Sequence, residues 1–280
     1  MSPQQIAFSA SDKSFSFHHT TSTHPRPENY PNHYEKGYEI FLFISGKGDY
    51  IIEGNKYTLS PYTLLIMNTN ELHRLNISEE CPYERCVLVV QKDFFPPFST
   101  QSVDLFQAFK LRALGQFNQV DSDIVLSKGF KALFEKLQAQ CNAIRPENEI
   151  LSKCYITEIL LLLNSIYATK LSTTPQPVTG HVKMILEYIN ANLHEALNLD
   201  SIAEMFFLSK HHLCHIFKQC TGYSINKYII YKRVLVADGL ISDGITPTQA
   251  CYMCGFNDYS NFYKAYRKHT GKSPKQGRKA

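Results

Sequence analysis

Between Ser201 and Gly271 the chain carries one pattern twice. The first copy runs through Ser201, Ile202, Ala203, Leu208, Ser209, Leu213, Phe217, Thr221 and Gly222; the second runs through Ala250, Cys251, Gly255, Phe256, Asp258, Phe262, Tyr266, Thr270 and Gly271. Ala203 aligns with Cys251 and Leu208 with Phe256. One extra residue then enters the second copy, after which Leu213, Phe217 and Gly222 align with Phe262, Tyr266 and Gly271. Each copy reads as a short helix, a tight turn and a longer helix ending in Thr-Gly. Paired units of this kind point to DNA, because the second helix of each fits the major groove.

The local signals agree. Residues 181–193 read as a first helix, with Ile185, Ile189 and Leu193 as its buried stripe. The next begins at Leu199 or Asp200 and turns Ile202, Ala203 and Phe206 inward. The Ser209 hydroxyl can cap the following helix, whose core face carries Leu213, Ile216 and Phe217. In the second copy Pro247 suits a helix start, Gly255 permits the turn and Asp258 caps the last long helix. Phe262, Ala265 and Tyr266 pack inward there. Residues 225–241 form a connecting helix able to hold the units about one DNA turn apart. Charge follows the same division. Residues 181–280 hold thirteen Lys or Arg against seven Asp or Glu, whereas residues 1–180 hold sixteen against eighteen. A basic excess on the helical segment is what phosphate binding requires.

Residues 38–90 have a different grammar. Short runs of β-branched and aromatic residues cover 38–44, 50–53, 56–59, 64–67, 73–77 and 84–90, with turns at 45–48 and 53–55. Such spacing predicts a sandwich or small barrel. Residues 1–30 read as an arm with one short strand at 15–18. After Pro96-Pro97 the period becomes helical. A helix is expected over 103–114, a second with Leu126, Phe130, Leu133 and Leu137 on one face, and a third over 150–167. Residues 160–163 are apolar nearly all round, which favours pairing with the same helices of a second chain, although these helices could instead cap the barrel. Residues 171–180 read as a linker. The expected architecture is therefore α+β in two domains: 1–170, with a barrel over about 15–95 and helices over about 101–170, and an all-α domain with two helix-turn-helix motifs over 181–280.

The string Leu199-Asp200-Ser201-Ile202-Ala203, Leu208-Ser209, Phe217-Lys218 with Thr221-Gly222, Arg233, Cys254-Gly255-Phe256-Asn257-Asp258 and the stretch from Gly271 to Pro274 closely resembles the AraC family of bacterial transcription regulators. By position, the resemblance implies base contacts from Lys210, His211, Cys214 and His215 in one helix and from Tyr259, Ser260, Tyr263 and Lys264 in the other. It implies phosphate contacts from Lys218, Arg267 and Lys268. Three residues depart from the family pattern. Phe207 replaces a small turn residue, His215 replaces a common Arg, and Gly277 replaces a Tyr before Arg278.

Upstream, the string from His33 to Ile40, Ser45-Gly46-Lys47-Gly48 and Asn68 to His73 resembles the cupin-like effector domain that often precedes this DNA-binding domain. Metal-binding cupins gather His-x-His, a Glu and a later His round one ion. Here Glu35 replaces the second His and the Pro-x-Gly turn before His73 is absent, so neither a metal nor another cofactor is expected. His33, Glu35, Tyr38, Glu39, His73 and Arg85 read instead as effector-binding residues, with Phe41, Phe43 and Tyr83 completing the wall. Which face of the strand carrying Glu39, Phe41 and Phe43 points inward is open.

The expected protein is a cytoplasmic, homodimeric transcription regulator and not an enzyme. It would bind double-stranded DNA and a small effector, a sugar or related metabolite, and would recruit RNA polymerase, more often as activator than repressor. No signal-peptide core and no run of roughly 18 to 20 apolar residues is present, so no membrane contact is expected. Of eight cysteines, Cys251 and Cys254 have the spacing of half a zinc site, but Cys251 aligns with the small core residue Ala203. Two alternatives stay open: a ligand-independent regulator whose barrel only dimerises, and a metal-dependent cupin enzyme.

Overall fold

The computed structural model describes residues 4–9, 13–30, 33–69, 71–94, 102–112, 115–140, 145–173, 181–221 and 223–277. Pro96, Pro97, Leu114, residues 174–180 of the expected linker, Gly222 and Arg278 lie outside them. The chain divides into two compact units, Met1–Gln176 and Pro177–Ala280.

Among its described residues the first unit has nine strands: β1 (Gln4–Ser9), β2 (Phe15–Ser22), β3 (Tyr38–Ser45), β4 (Gly48–Ile52), β5 (Asn55–Thr58), β6 (Leu64–Met67), β7 (His73–Ile77), β8 (Tyr83–Val90) and β9 (Gln119–Val120). They form two antiparallel sheets, ordered β1-β2-β8-β3-β6-β9 and β5-β4-β7. The β4–β5 hairpin closes through Glu53 and Gly54, both at positive φ (46° and 81°), the backbone a two-residue turn needs to follow strand twist.

Strand alternation settles the open face. Phe41, Phe43, Leu65, Met67 and Tyr83 of the large sheet meet Tyr50, Ile52, Leu75 and Ile77 of the small sheet in one buried cluster. Their sequence neighbours Ile40, Leu42, Leu64, Ile66, Cys86, Leu88 and Val90 point to the other side and pack on helices. Those helices are α1 (Gln107–Lys110), α2 (Ser122–Ser127), α3 (Phe130–Gln140) and α4 (Pro146–Thr173).

Three helix expectations change. The helix expected over 103–114 contracts to the single turn of α1. Beyond it Arg112 and the Gly115 amide are drawn to Glu71, and tertiary hydrogen bonds displace helix propagation. The second helix is broken at Gly129 (φ 81°), so Leu126 is 46% exposed while Phe130, Leu133, Phe134 and Leu137 are buried. The third is longer than expected. Its segment Glu147–Thr169 is long and apolar enough to cross a membrane by length and composition. Ile156, Ile159, Leu160, Leu163 and Tyr167 on it are nevertheless buried against the sheet and neighbouring helices. The helix also runs through 171–173, which the sequence assigns to the linker.

The second unit is helical: α5 (His181–Ala191), α6 (Leu199–Met205), α7 (Lys210–Thr221), α8 (Ile225–Ser242), α9 (Pro247–Met253), α10 (Tyr259–Thr270) and α11 (Pro274–Gly277). α5 ends before Leu193, which is only partly buried and lends its carbonyl to Arg233. One core joins Val234, Ala237 and Ile241 of α8 to Ala250, Cys251, Cys254, Phe256, Phe262 and Tyr266. Cys251 and Cys254 are buried free thiols in it, and burial pushes both upward in pKa, Cys254 to about 11.

Candidate functional site

The two helix-turn-helix units are α6–α7 and α9–α10, and their turns have the same hydrogen bonds. In the first, the Phe207 amide donates to Glu204 and the Leu208 amide to Ala203. In the second, Gly255 donates to Tyr252 and Phe256 to Cys251. This is a helix C-terminus with one residue in the left-handed region, which is Phe207 (φ 54°) or Gly255 (φ 81°). The aligned pairs are therefore structurally equivalent, and the extra residue of the second copy lies between Phe256 and the next cap. Ser209 caps α7 by accepting from the His212 amide at 3.2 Å, and Asp258 caps α10 by accepting from Asn261 at 2.8 Å. Thr246 and Gln249 form a reciprocal capping box ahead of α9, with Pro247 in its first turn.

These caps fix which sides of α7 and α10 are free. Leu213 and Phe217 on α7, and Phe262 and Tyr266 on α10, are buried. Lys210, His211, His215 and Lys218 are exposed on α7, with Cys214 partly buried. His211 and His215 lie one turn apart with parallel rings, 6.4 Å between centroids. Ser260, Tyr263, Lys264, Arg267 and Lys268 are exposed on α10. Tyr259 is half-buried, its ring 5.7 Å from Phe262. The charge differs between the two faces. Lys210 is paired with Asp200 at 2.9 Å, whereas Lys264, Arg267 and Lys268 make no ion pair among the described residues. Arg233 holds the units' surroundings together by donating to the carbonyls of Leu193 (2.8 Å) and Glu195 (2.6 Å). Near the C-terminus the Tyr266 hydroxyl donates to Asp238 at 2.5 Å, and a Cβ on Gly277 would overlap that hydroxyl. A tyrosine at 277 has no room here.

In the first unit a cavity of about 230 Å³ is lined by Ser16, His18, Thr20, His33, Glu35, Glu39, Arg85, Val87 and Val89. Beside it the His73 Nε2 lies 3.2 Å from Glu39 Oε2, both groups buried. Burial alone would raise Glu39 and lower His73. Their mutual attraction outweighs it, so Glu39 is held below the usual carboxylate range and His73 above the usual imidazole value. Glu35, half-buried, is pushed up to about 7, first by burial and then by the charge of Glu39. His18 is lowered, by burial and then by Arg85.

His73 is positioned from behind. Its Nδ1 lies 2.8 Å from the Glu71 carbonyl. The Glu71 carboxylate is clamped by both terminal nitrogens of Arg112 (2.8 and 2.6 Å) and by the amides of Asn68 and Gly115. The backbones of His33 and His73 exchange two 2.9 Å hydrogen bonds, which brings His33 to the same place. One ligand atom each from His33, Glu39 and His73 lies within 4.8 Å of the others, so among the described residues these three could hold a metal ion.

Of the six residues expected to bind an effector, His33, Glu35, Glu39 and Arg85 line the cavity and His73 stands directly behind Glu39. Tyr38 does not join them. It precedes Glu39 on β3, so it points to the opposite face, stacked on Phe106 with 4.2 Å between centroids. Phe41, Phe43 and Tyr83 belong to the core between the sheets. The sequence reading missed Ser16, His18 and Thr20. They alternate with the buried Phe15 and Phe17 on a strand treated as an arm, and that alternation was the available signal.

Residues 20–160 match the model of the AraC-like ligand binding domain, and residues 202–280 match a helix-turn-helix domain model. The chain is 24% identical over 239 residues to the uncharacterized HTH-type transcriptional regulator YbfI of Bacillus subtilis, covering 84% of this chain and 82% of YbfI. It is 24% identical over 264 residues to the HTH-type transcriptional activator RhaS of Escherichia coli, covering 89% of each. Among solved structures, ToxT from Vibrio cholerae aligns over 94% of this chain and 97% of its own at 13% identity, with a TM-score of 0.37. The DNA-binding domain of AdpA, solved in complex with a target DNA, aligns over 35% of this chain and 89% of its own at 21% identity, with a TM-score of 0.34. With a ligand-binding domain model over half its length and a duplicated helix-turn-helix unit behind it, the chain belongs to the AraC family of DNA-binding transcription regulators.

Proposed function

We propose that this protein is a transcription activator switched by a small polar effector, a sugar or related metabolite, held in the cavity of its first unit. The observation that carries this reading is the pairing of two capped reader helices with a polar, charge-lined cavity in one chain. Lys210, His211, Cys214 and His215 on α7, and Tyr259, Ser260, Tyr263 and Lys264 on α10, meet base edges in two successive major grooves. Tyr259 can do so only with the ring edge its packing leaves free. Lys218, Arg267 and Lys268 meet phosphates. His33, Glu35, Glu39, His73 and Arg85 hold the effector, and His18 joins them.

Two copies act together on this reading. Ile150 (58% exposed) and Leu161 (45% exposed) lie eleven residues apart on α4 and therefore on one face, with the partly buried Cys154 between them. That face supports pairing of α4 with α4 of a second chain, in the cytoplasm, beside RNA polymerase. An effector changes transcription only through its different affinity for two arrangements of this dimer.

Selection of bound duplexes from a random oligonucleotide pool by the full chain tests the DNA reading. A recovered site with two half-sites, each spanning two grooves, is the expected outcome, and the absence of any enriched sequence would sink it. The convergence of His33, Glu39 and His73 favours a second reading, in which a metal ion occupies the cavity. Elemental analysis of the purified chain separates the two, since one transition metal per chain, lost in His33→Gln, supports only the second.

A further inference from the structure

We infer that the effector is a small organic acid whose carboxylate is taken by Arg85, an inference that rests on the cavity being the effector site. Arg85 lies on β8 and faces the cavity. Among the described residues no carboxylate comes within ion-pairing distance of it, and its Nε is buried without a hydrogen bond. Its guanidinium is walled by the rings of Tyr30 (4.9 Å), Tyr83 (5.7 Å) and Phe41 (6.0 Å). Aromatic faces soften the cost of a desolvated cation but supply no counter-charge.

Two nearby carboxylates already have partners. Glu39 has His73 as its contact partner, and Arg112 is spent on Glu71. Glu35 lines the same cavity and offers its carboxyl group to a ligand hydroxyl. Arg85 thus faces the cavity as a cation with no carboxylate at ion-pairing distance among the described residues and with an unbonded Nε. A guanidinium presents two parallel N–H donors, the match for the two coplanar oxygens of a carboxylate. A phosphate would bring a second charge towards Glu35 and Glu39, so a monoanion fits better.

The remaining lining describes the rest of the ligand. Thr20 stands opposite Arg85 across the β2–β8 ladder, and Ser16 and His18 line the same side of β2. These are partners for hydroxyl groups, while Val87 and Val89 offer a surface to carbon-bound hydrogens. At about 230 Å³ the space falls below the roughly 300–1,000 Å³ of drug-sized sites. A hydroxy acid no larger than a sugar acid satisfies all of this.

The test uses the full chain and matched probes: D-gluconate against D-glucose, D-glycerate against glycerol, and inorganic phosphate. The readouts are thermal shift and the NMR signal of the Arg85 Nε–H, assigned through Arg85→Lys. At least one acid is expected to move that signal and raise Tm, with its neutral counterpart binding at least about tenfold more weakly. Arg85→Gln should weaken acid binding about ten- to hundredfold, as loss of a charge-assisted pair does, and Arg85→Lys should recover part of it. Equal binding of acid and neutral probes, undiminished acid binding by Arg85→Gln, or phosphate binding ahead of every acid overturns the inference. If neutral sugars bind both wild type and Arg85→Gln, the effector cavity stands and only the acid is wrong. If no probe moves the Arg85 signal or Tm, the acid and the effector cavity fall together.

Discussion

The two helix-turn-helix units reach one backbone by opposite side-chain routes. Each turn places one residue in the left-handed region and returns the next amide to the same carbonyl. In the second unit that residue must be glycine for two reasons. Its φ is 81°, and a Cβ would sit 2.6 Å from the Leu193 carbonyl oxygen and 2.9 Å from an Arg233 nitrogen. In the first unit the residue is Phe207, and its side chain is 97% exposed. Nothing crowds that turn, so only the conformational cost applies, about 1–2 kcal/mol for an L-residue. A turn residue is thus dictated jointly by its own dihedral angles and by what packs over it, and an internal repeat separates the two. The outward faces differ as well, since α7 has Lys210 tied to Asp200 while α10 presents three cations that make no ion pair among the described residues.

The largest effect should come from Gly255→Ala. Backbone strain adds to a collision with the Leu193 carbonyl oxygen and the Arg233 guanidinium, so a loss of about 3 kcal/mol is expected in the second unit. Native-state hydrogen exchange at the α9 and α10 amides of the full chain measures it, and unchanged protection would show that the turn can shift to admit a Cβ. Next comes Lys264→Ala, which should weaken specific DNA binding by roughly 1–3 kcal/mol with little change in Tm. His215 occupies the equivalent position on α7, and His215→Ala should cost less, about 1 kcal/mol. Titration of both variants at matched salt decides between them. Wild-type affinity for Lys264→Ala would remove α10 from its proposed place in the groove. Smaller again is Arg267→Ala, expected to weaken binding evenly across sequences and to lower the salt slope by about 1. A slope unchanged in Arg267→Ala but reduced in Lys218→Ala would make α7 the main phosphate contact instead.

The sequence reveals the second unit more fully than the first, and the reason is physical. Helix caps and left-handed turns are local, so Ser209, Asp258, Pro247 and Gly255 announce their roles within a few residues. The strands of the first unit are legible too, because period-two alternation is local. Three features there are harder to read. The contraction of α1 depends on Arg112 meeting Glu71, forty-one residues away in sequence. The break at Gly129 interrupts a run that keeps helical spacing in the sequence. The inward face of β3 depends on which side the helices cover, and Tyr38 joins or leaves the effector set on that parity alone. The cavity shows the same dependence, since β2 contributes Ser16, His18 and Thr20 only because it pairs with β8.

The smallest effect is the sharpest test of the contrast between the turns. Phe207→Gly relieves the left-handed strain but adds freedom to the unfolded chain, which offsets part of the gain. The exposed ring loses almost no buried area, so no packing term opposes the change. A net stabilisation of about 0.5–1 kcal/mol is expected in the first unit, with DNA affinity unaltered. The exchange rates of the α6 and α7 amides measure the first quantity and operator titration the second. Stabilisation with unchanged affinity would leave Phe207 as a residue tolerated only because its turn is open. A loss of stability, or of DNA binding, would mean that the ring has a partner in the working regulator and that the open turn is kept open for it.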